Sequence, residues 1–344
     1  MACFIVAEAG VNHNGSVELA FKLVEAAAEV GADAVKFQTY TAEKLVSRDA
    51  ETAAYQKRQT GEGRQLSLLR QLELSVAVHE KLFVRSAELG IEFMSTPFDR
   101  ESADMLVGLG VKRIKVSSGE LTNLPLLEFL ARKHVPLIVS TGMASLDEVG
   151  EAVSVIRSVW TTTLLDKPLG EMLTLLHCTS NYPAAFDDVN LRAMHTLATN
   201  FDVPVGYSDH TPGIVVSIAA VTMGAVVVEK HLTLDRSLPG PDHEASLEPI
   251  EFRDMVRSIR AVEASFGSGE KVPRLNELPV RELVRRSVTS NRSLKAGKVI
   301  TVDDVTLLRP GTGIAPRDLH RVVGMHVLHD LPAGKTLLWS DIRE

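Results

Sequence analysis

The stretch EKHLTLDRSLPGPDHEASLEP, residues 229–249, ends the apolar run AVVVEKH with Glu, Lys and His, then lays down Pro-Gly-Pro-Asp and a second histidine, His243. A strand buried on both faces has no use for that ending, because an uncompensated buried charge is costly. A strand whose end opens into an active site does. The pattern recurs. Glu8 closes the run CFIVAEA and is followed by Asn12, His13 and Asn14. Lys36 and Gln38 stand two apart, so in an extended segment they share the face that Phe37 does not. Further on come Ser95 and Thr96, then Lys115 with Ser117, Ser118, Gly119 and Glu120, then Ser140 with Thr141 and Gly142. His177, Cys178, Thr179 and Ser180 lead to Asn181 and Tyr182, and Ser208, Asp209 and His210 form the last such group.

These residues are open to more than one chemistry. Two enclosed lysines, Lys36 and Lys115, need compensation, which a substrate carrying phosphate and carboxylate would supply. The hydroxyls of Thr96, Ser118, Ser140 and Ser208 would complete such an anion pocket. The competing use is a Schiff-base lysine of lowered pKa, as in aldolases; two lysines among many hydroxyls lean toward anion binding. His210 and His231 would end neighbouring strands about 5 Å apart, where both imidazoles could reach one ion. Two protein ligands leave positions for water and substrate, which suits a Lewis acid. Imidazole and oxygen donors suit Mn2+ first, with Mg2+ or Co2+ as alternatives. Spacing alone equally allows two buried, hydrogen-bonded histidines. Any single Ser or Thr here reads as a turn or cap; what raises the set is convergence on one end of one fold.

The elements that must position them are short β-branched runs alternating with amphipathic stretches. Strands are expected near 3–9, 33–39, 91–95, 111–117, 135–140, 172–178, 203–207 and 225–231, and helices over 17–30 and 145–159 among others. Gly31 and Gly90 follow helix ends, where a left-handed cap is wanted. Eight strand–helix units predict a closed (β/α)8 TIM barrel, spanning 1–267, whose chemistry lies at the C-terminal strand ends. An open doubly wound sheet is the alternative, but no Gly-x-Gly-x-x-Gly turn follows the first strand. Residues 41–75 form a long insertion of the kind that covers substrates. A linker rich in Gly, Pro and charge is expected over 268–284, followed by a small β-rich domain over 285–344.

Composition sets the bounds. The chain has 344 residues, 45% hydrophobic and 24% charged, with a net charge of −7 that argues against general nucleic-acid binding. No apolar run reaches the roughly 18 residues of a membrane span. The start MACFIVAEAG reads as a strand and not as a signal peptide. Two cysteines, Cys3 and Cys178, make no disulfide framework, and a reducing cytoplasmic setting is expected.

The motifs AEAGVNHNGS, KFQTY, STPFD, KVSSGEL, STGM, HCTSNYPA, YSDHT, EKHLTLD, GPDHEASLEP and RPGTGI, in this order from about residue 3 to 342, resemble the sialic acid synthases. These are the N-acetylneuraminate synthases and the bacterial relatives that make legionaminic and pseudaminic acids. The tail resembles their antifreeze-like (SAF) domain. The resemblance implies condensation of phosphoenolpyruvate with N-acetylmannosamine or a related N-acylated sugar, with release of phosphate by C–O cleavage. The alternative substrate is a 2,4-diacetamido-2,4,6-trideoxyhexose. It implies Glu8 as acid/base, with Glu120 a second candidate, and Lys36, Thr96, Lys115, Ser118, Ser140, Ser180 and Ser208 around phosphoenolpyruvate. It further implies Gln38, Gln59, Tyr182 and Asp242 on the sugar, and His210 and His231 on the metal. Arg309 would reach the sugar's N-acyl group from a partner subunit in a domain-swapped homodimer. Ser180 and Gln59 stand where relatives often have Asn, which leaves the sugar open and not the reaction. Glu229, two residues before His231, is expected to share its inward face. Rival readings are a Schiff-base pyruvate aldolase and a non-enzymatic carbohydrate- or ice-binding protein.

Overall fold

The computed structural model describes residues 2–52, 57, 60–163 and 168–344. The expected barrel is present. Its strands are β1 (Phe4–Gly10), β2 (Ala34–Thr39), β3 (Glu92–Pro97), β4 (Ile114–Val116), β5 (Leu137–Ser140), β6 (Leu173–Cys178), β7 (Val205–Asp209) and β8 (Val227–His231). They pair in parallel in the order β3-β2-β1-β8-β7-β6-β5-β4. The two end members, β3 and β4, lie side by side, so the sheet curls into a cylinder.

Alternation along the strands builds two cores. Val6, Ala34, Met94, Ile138, Leu176 and Val227 form an apolar plug inside the cylinder. Their chain neighbours, such as Ile5, Val35, Phe93, Val139, Leu175 and Val228, pack outward against the helices. Below the plug, the Arg113 guanidinium grips Glu92 with two hydrogen bonds of 2.7 and 3.2 Å and lies 4.2 Å over the Phe4 ring. The polar inward residues gather at the other end, the C-terminal mouth.

The helices begin and end where the sequence indicates. The helix Val17–Glu29 is capped by Ser16, whose hydroxyl accepts from the Leu19 N–H, and Gly31 beyond it has φ +82°. Ser145 and Glu148 form a reciprocal capping box at the start of Leu146–Thr162. Among the described residues of the long connection after β2 are the short helices Ala42–Leu45 and Gln65–Leu72.

The chain divides into two compact units, Met1–Phe266 and Gly267–Glu344. The second has its own core, with Val288, Leu294, Ile300, Ile314, Val322 and Leu337 at its centre. Two antiparallel pairs frame it: β9 (Ser287–Ser290) with β10 (Val305–Leu308), and β11 (His326–Val327) with β12 (Ile342–Arg343). Residues 278–284, read from composition as linker, form a helix (Leu278–Val284). Its first turn holds Pro279, where a missing N–H costs nothing.

Candidate active site

Strand register assembles the site. Glu8 on β1 stands beside Lys36 on β2 and beside His231 on β8. Ser208 on β7 stands between Cys178 on β6 and Glu229 on β8, and Gln38 on β2 is level with Thr96 on β3. All point into one cavity of about 560 Å³, which Lys115, Ser118, Ser140, Ser180, Tyr182, His210 and Asp242 also line.

The floor holds two ammonium groups and two carboxylates. Lys36 Nζ is 2.6 Å from Glu8 Oε2 and 3.6 Å from Glu229 Oε2, and it donates to Thr96 Oγ1 at 3.3 Å. Lys115 Nζ donates to Ser140 Oγ at 2.6 Å and lies 3.6 Å from Glu229 Oε1, which also accepts from Ser208 Oγ at 3.0 Å. Burial sets the protonation of this group. Desolvation pushes Glu8 up to about 7 despite the nearby Lys36. For Glu229, desolvation works the same way, but Lys115 and Lys36 outweigh it and hold the carboxyl at about 2. Two neighbouring acids thus divide into one that titrates near neutrality and one that stays ionised. Desolvation pushes Lys115 down, with Glu229 acting against it, so an incoming anion favours its charged form. Lys36 is held up by Glu229 and Glu8 against desolvation.

Above the floor, His210 and His231 face each other with ring centroids 5.5 Å apart, and the Tyr182 ring lies 4.2 and 5.8 Å from them. His210 Nδ1 donates to the Thr179 carbonyl at 2.7 Å, which turns Nε2 toward the cavity as a lone pair. His231 Nδ1 is buried without a hydrogen-bond partner, and Asp242 Oδ2 is 3.8 Å away. Desolvation keeps both rings neutral at ordinary pH, and His210 and Lys36 push His231 further down. Two neutral imidazoles in one cavity, His231 Nδ1 without a partner and His210 Nε2 with only a long 3.5 Å contact to Ser208 Oγ, fit the two-ligand metal site expected from the sequence. No cluster of three or more His, Cys, Asp or Glu side chains suited to a metal occurs among the described residues.

The loops are held by their own polar contacts. Asn12 Nδ2 donates to the Leu232 carbonyl and to Ser246 Oγ, tying the connection after β1 to the one after β8. His243 is not a site residue. It bonds Thr233 Oγ1 at 2.7 Å and Asn14 Oδ1 at 3.2 Å, and a Cβ at Gly240 would sit 2.6 Å from its ring. That packing fixes Asp242 over the cavity, where desolvation raises its carboxyl to about 6. On the opposite wall, a Cβ at Gly142 would meet Ser180 Oγ at 2.3 Å, Cys178 Sγ at 2.8 Å and Ser118 Oγ at 2.9 Å. Only glycine lets this backbone approach, and its N–H donates to Ser118 Oγ.

One residue expected in the site does not line the cavity, one belongs to the second unit and one lies outside the described residues. Glu120 turns its carboxylate to Asn123, which donates to it at 2.7 Å, and does not line the site. Arg309 is exposed just beyond β10, in the second unit. Gln59 lies outside the described residues. Two features were not singled out as site residues from the sequence. Glu229 is fully enclosed, and the period-2 alternation with His231 was its signal. Gln65, Leu68, Leu69 and Leu72 line the cavity from the helix Gln65–Leu72, and their i, i+3, i+4, i+7 spacing was legible.

Comparison with known proteins gives the family. Residues 23–271 match the NeuB family and residues 285–343 match the SAF domain. N,N'-diacetyllegionaminic acid synthase of Legionella pneumophila subsp. pneumophila is 55% identical over 343 residues, covering 99% of this chain and 95% of that protein. The enzyme of the same name from Campylobacter jejuni subsp. jejuni is 43% identical over 321 residues, covering 93% and 94%. The crystal structure of N-acetylneuraminic acid (sialic acid) synthetase from Leptospira borgpetersenii, in complex with citrate, superposes with a TM-score of 0.71 at 35% identity, covering 81% of this chain and 90% of that one.

Proposed function

This chain belongs to the NeuB family and ends in a SAF domain, and on that premise we propose that it condenses phosphoenolpyruvate with a 2,4-diacetamido-2,4,6-trideoxyhexose to give N,N'-diacetyllegionaminic acid and phosphate. N-acetylmannosamine, the sugar expected first from the motifs, gives way because both relatives of highest identity described above bear the legionaminic name. The observation that carries the reaction is the pair of enclosed amines, Lys36 and Lys115, with the hydroxyls of Thr96, Ser140 and Ser208 beside them. That floor supports an enol phosphate bearing a carboxylate.

In this reading the lysines and hydroxyls hold phosphate and carboxylate in one orientation, which removes most of the entropic barrier to attack. C3 of phosphoenolpyruvate bonds to C1 of the open-chain sugar as the aldehyde C=O π bond opens, the C1 oxygen takes a proton from water, and positive charge develops at C2. Water adds at C2 and gives its proton to Glu8, whose elevated pKa matches a general base near neutrality. Ionised Glu229 stabilises the developing charge. The tetrahedral adduct then expels phosphate with cleavage of the C–O bond. A divalent cation held by His210 and His231, Mn2+ before Mg2+ or Co2+, would supply polarisation of the sugar aldehyde. A Schiff-base aldolase would have to use Lys115, since the Glu8 carboxylate contacts the Lys36 amine.

The test is phosphate release from phosphoenolpyruvate with each candidate sugar, with the product identified by mass. Turnover only with N-acetylmannosamine would reverse the sugar assignment. Borohydride trapping of pyruvate on the protein would replace the reaction itself.

A further inference from the structure

The cavity has two unlike ends. Its floor is charged, and its rim, on one side, is carbon. Val11 lies just beyond β1, Phe98 just beyond β3, and the helix Gln65–Leu72 arrives from the connection after β2. That helix turns one stripe to the cavity, and three of its four members are Leu68, Leu69 and Leu72. Gln65, the polar member, has its amide tied to the Glu51 carbonyl at 2.9 Å.

The wall is anchored from behind. Val11, Leu68 and Leu72 pack as one small cluster. The Tyr40 hydroxyl donates to the Leu69 carbonyl at 3.2 Å, and the Ala42 N–H donates to Glu73 Oε2 at 2.9 Å just past the helix. The Gln71 carbonyl comes within 2.2 Å of where a Cβ on residue 15 would sit, so only Gly15, with φ +73°, permits the approach. A surface held in place before binding spends none of the ligand's affinity on its own ordering.

Resting on the function proposed above, we infer that this carbon wall selects the sugar by its deoxygenated end, with Leu69 the specificity-determining contact. The bond to phosphoenolpyruvate forms at C1 of the sugar. The anions of phosphoenolpyruvate belong at the charged floor, so C1 lies low and C4 to C6 extend to the rim. A C6 methyl and the methyl of a 4-acetamido group are apolar and gain by burial there. A C6 hydroxyl pressed on the same leucines loses its water and finds no partner. Leu68 and Leu72 are buried against Val11 and hold the helix, whereas Leu69 is half-buried and stands open to the cavity.

The experiment compares kcat/KM for 2,4-diacetamido-2,4,6-trideoxymannose and for its 6-hydroxy counterpart, both with phosphoenolpyruvate. An apolar pocket rejects an added hydroxyl by about 100-fold at most, so the unaltered protein should prefer the 6-deoxy sugar by about 10- to 100-fold. Leu69→Gln should drive that ratio toward unity by raising KM for the deoxy sugar, with KM for phosphoenolpyruvate unchanged. Leu69→Met should keep the preference. Urea denaturation of both variants establishes that they fold, and the ratio for the unaltered protein decides the matter if Leu69→Gln does not. Equal kcat/KM for the two sugars, or a preference that survives Leu69→Gln, overturns the wall alone. Phosphate release with neither sugar sinks the parent reading and the wall with it.

Discussion

Glu8 and Glu229 are chemically the same group about one strand apart, and the cavity gives them opposite charge states. Glu229 is held ionised by both lysines and a serine hydroxyl, whereas at Glu8 desolvation and the Glu229 charge outweigh Lys36 and Lys115. A base that must be ionised to act, with a value of about 7, predicts that kcat/KM rises with pH through about 7 and then levels. A flat profile between pH 6 and 8 would remove Glu8 from the role. The same burial carries a stability cost: its folded value lies above the ordinary 4.5, so its contribution is intact below about 4.5 and is lost as pH rises through about 7. Lys115 offers a second test. Hydrogen bonds to charged groups are worth about 1.5–3 kcal/mol, so Lys115→Ala should raise KM for phosphoenolpyruvate at least about tenfold. Phosphate-release kinetics at varied phosphoenolpyruvate would detect it, and a fully active variant contradicts the anion floor.

At the scale of the element, β7 and β8 show how inward chemistry depends on outward packing. Ser208, His210, Glu229 and His231 face the cavity, and the residues between them, Asp209 and Lys230, face the helices. Lys230 Nζ is 3.0 Å from Asp209 Oδ2, and both side chains are wholly buried. Asp209 also accepts from the Thr211 N–H and hydroxyl and from Ser217 Oγ on the helix Val215–Thr222. Each lone pair is thereby used, which is the condition under which a buried pair can persist. Lys230→Met leaves Asp209 as an unpaired buried charge and should cost about 3–5 kcal/mol of stability, read as a lowered urea midpoint. An unchanged midpoint would mean that water or another cation reaches Asp209.

At the scale of the molecule, charge is unevenly shared. Residues 1–266 carry 24 Lys and Arg against 35 Asp and Glu, whereas residues 267–344 carry 13 against 9. Units of opposite sign attract, and such attraction weakens as salt shortens the Debye length. We propose on this basis that the small unit of one copy serves the barrel of another, with Arg309 on the sugar's N-acyl group. Arg309→Ala should then raise KM for the sugar about tenfold through loss of one charge-assisted hydrogen bond, with KM for phosphoenolpyruvate unaffected. Light scattering should show a dimer whose dissociation grows with salt. A monomer at low salt with full activity would end that proposal. Among the described residues, no helix is long and apolar enough to cross a membrane.

Local pattern along the chain was enough to specify the barrel and to point its polar residues to one mouth. Strand periodicity is local: once β1 and β2 are extended, Glu8, Lys36 and Gln38 must share the inward face, and eight such strands can only send their polar ends to one place. Motif order carried the rest, including His210, His231 and Asp242. Long-range packing set the quantities that depend on residues far apart in the chain. The proton on Glu8 and the charge on Glu229 follow from burial and from lysines on β2 and β4. His243 became a loop brace because Asn14 and Thr233 meet it. The leucine stripe of Gln65–Leu72 was visible as a helical pattern, but whether it faced core, solvent or substrate depended on where Gly15 let the helix come to rest.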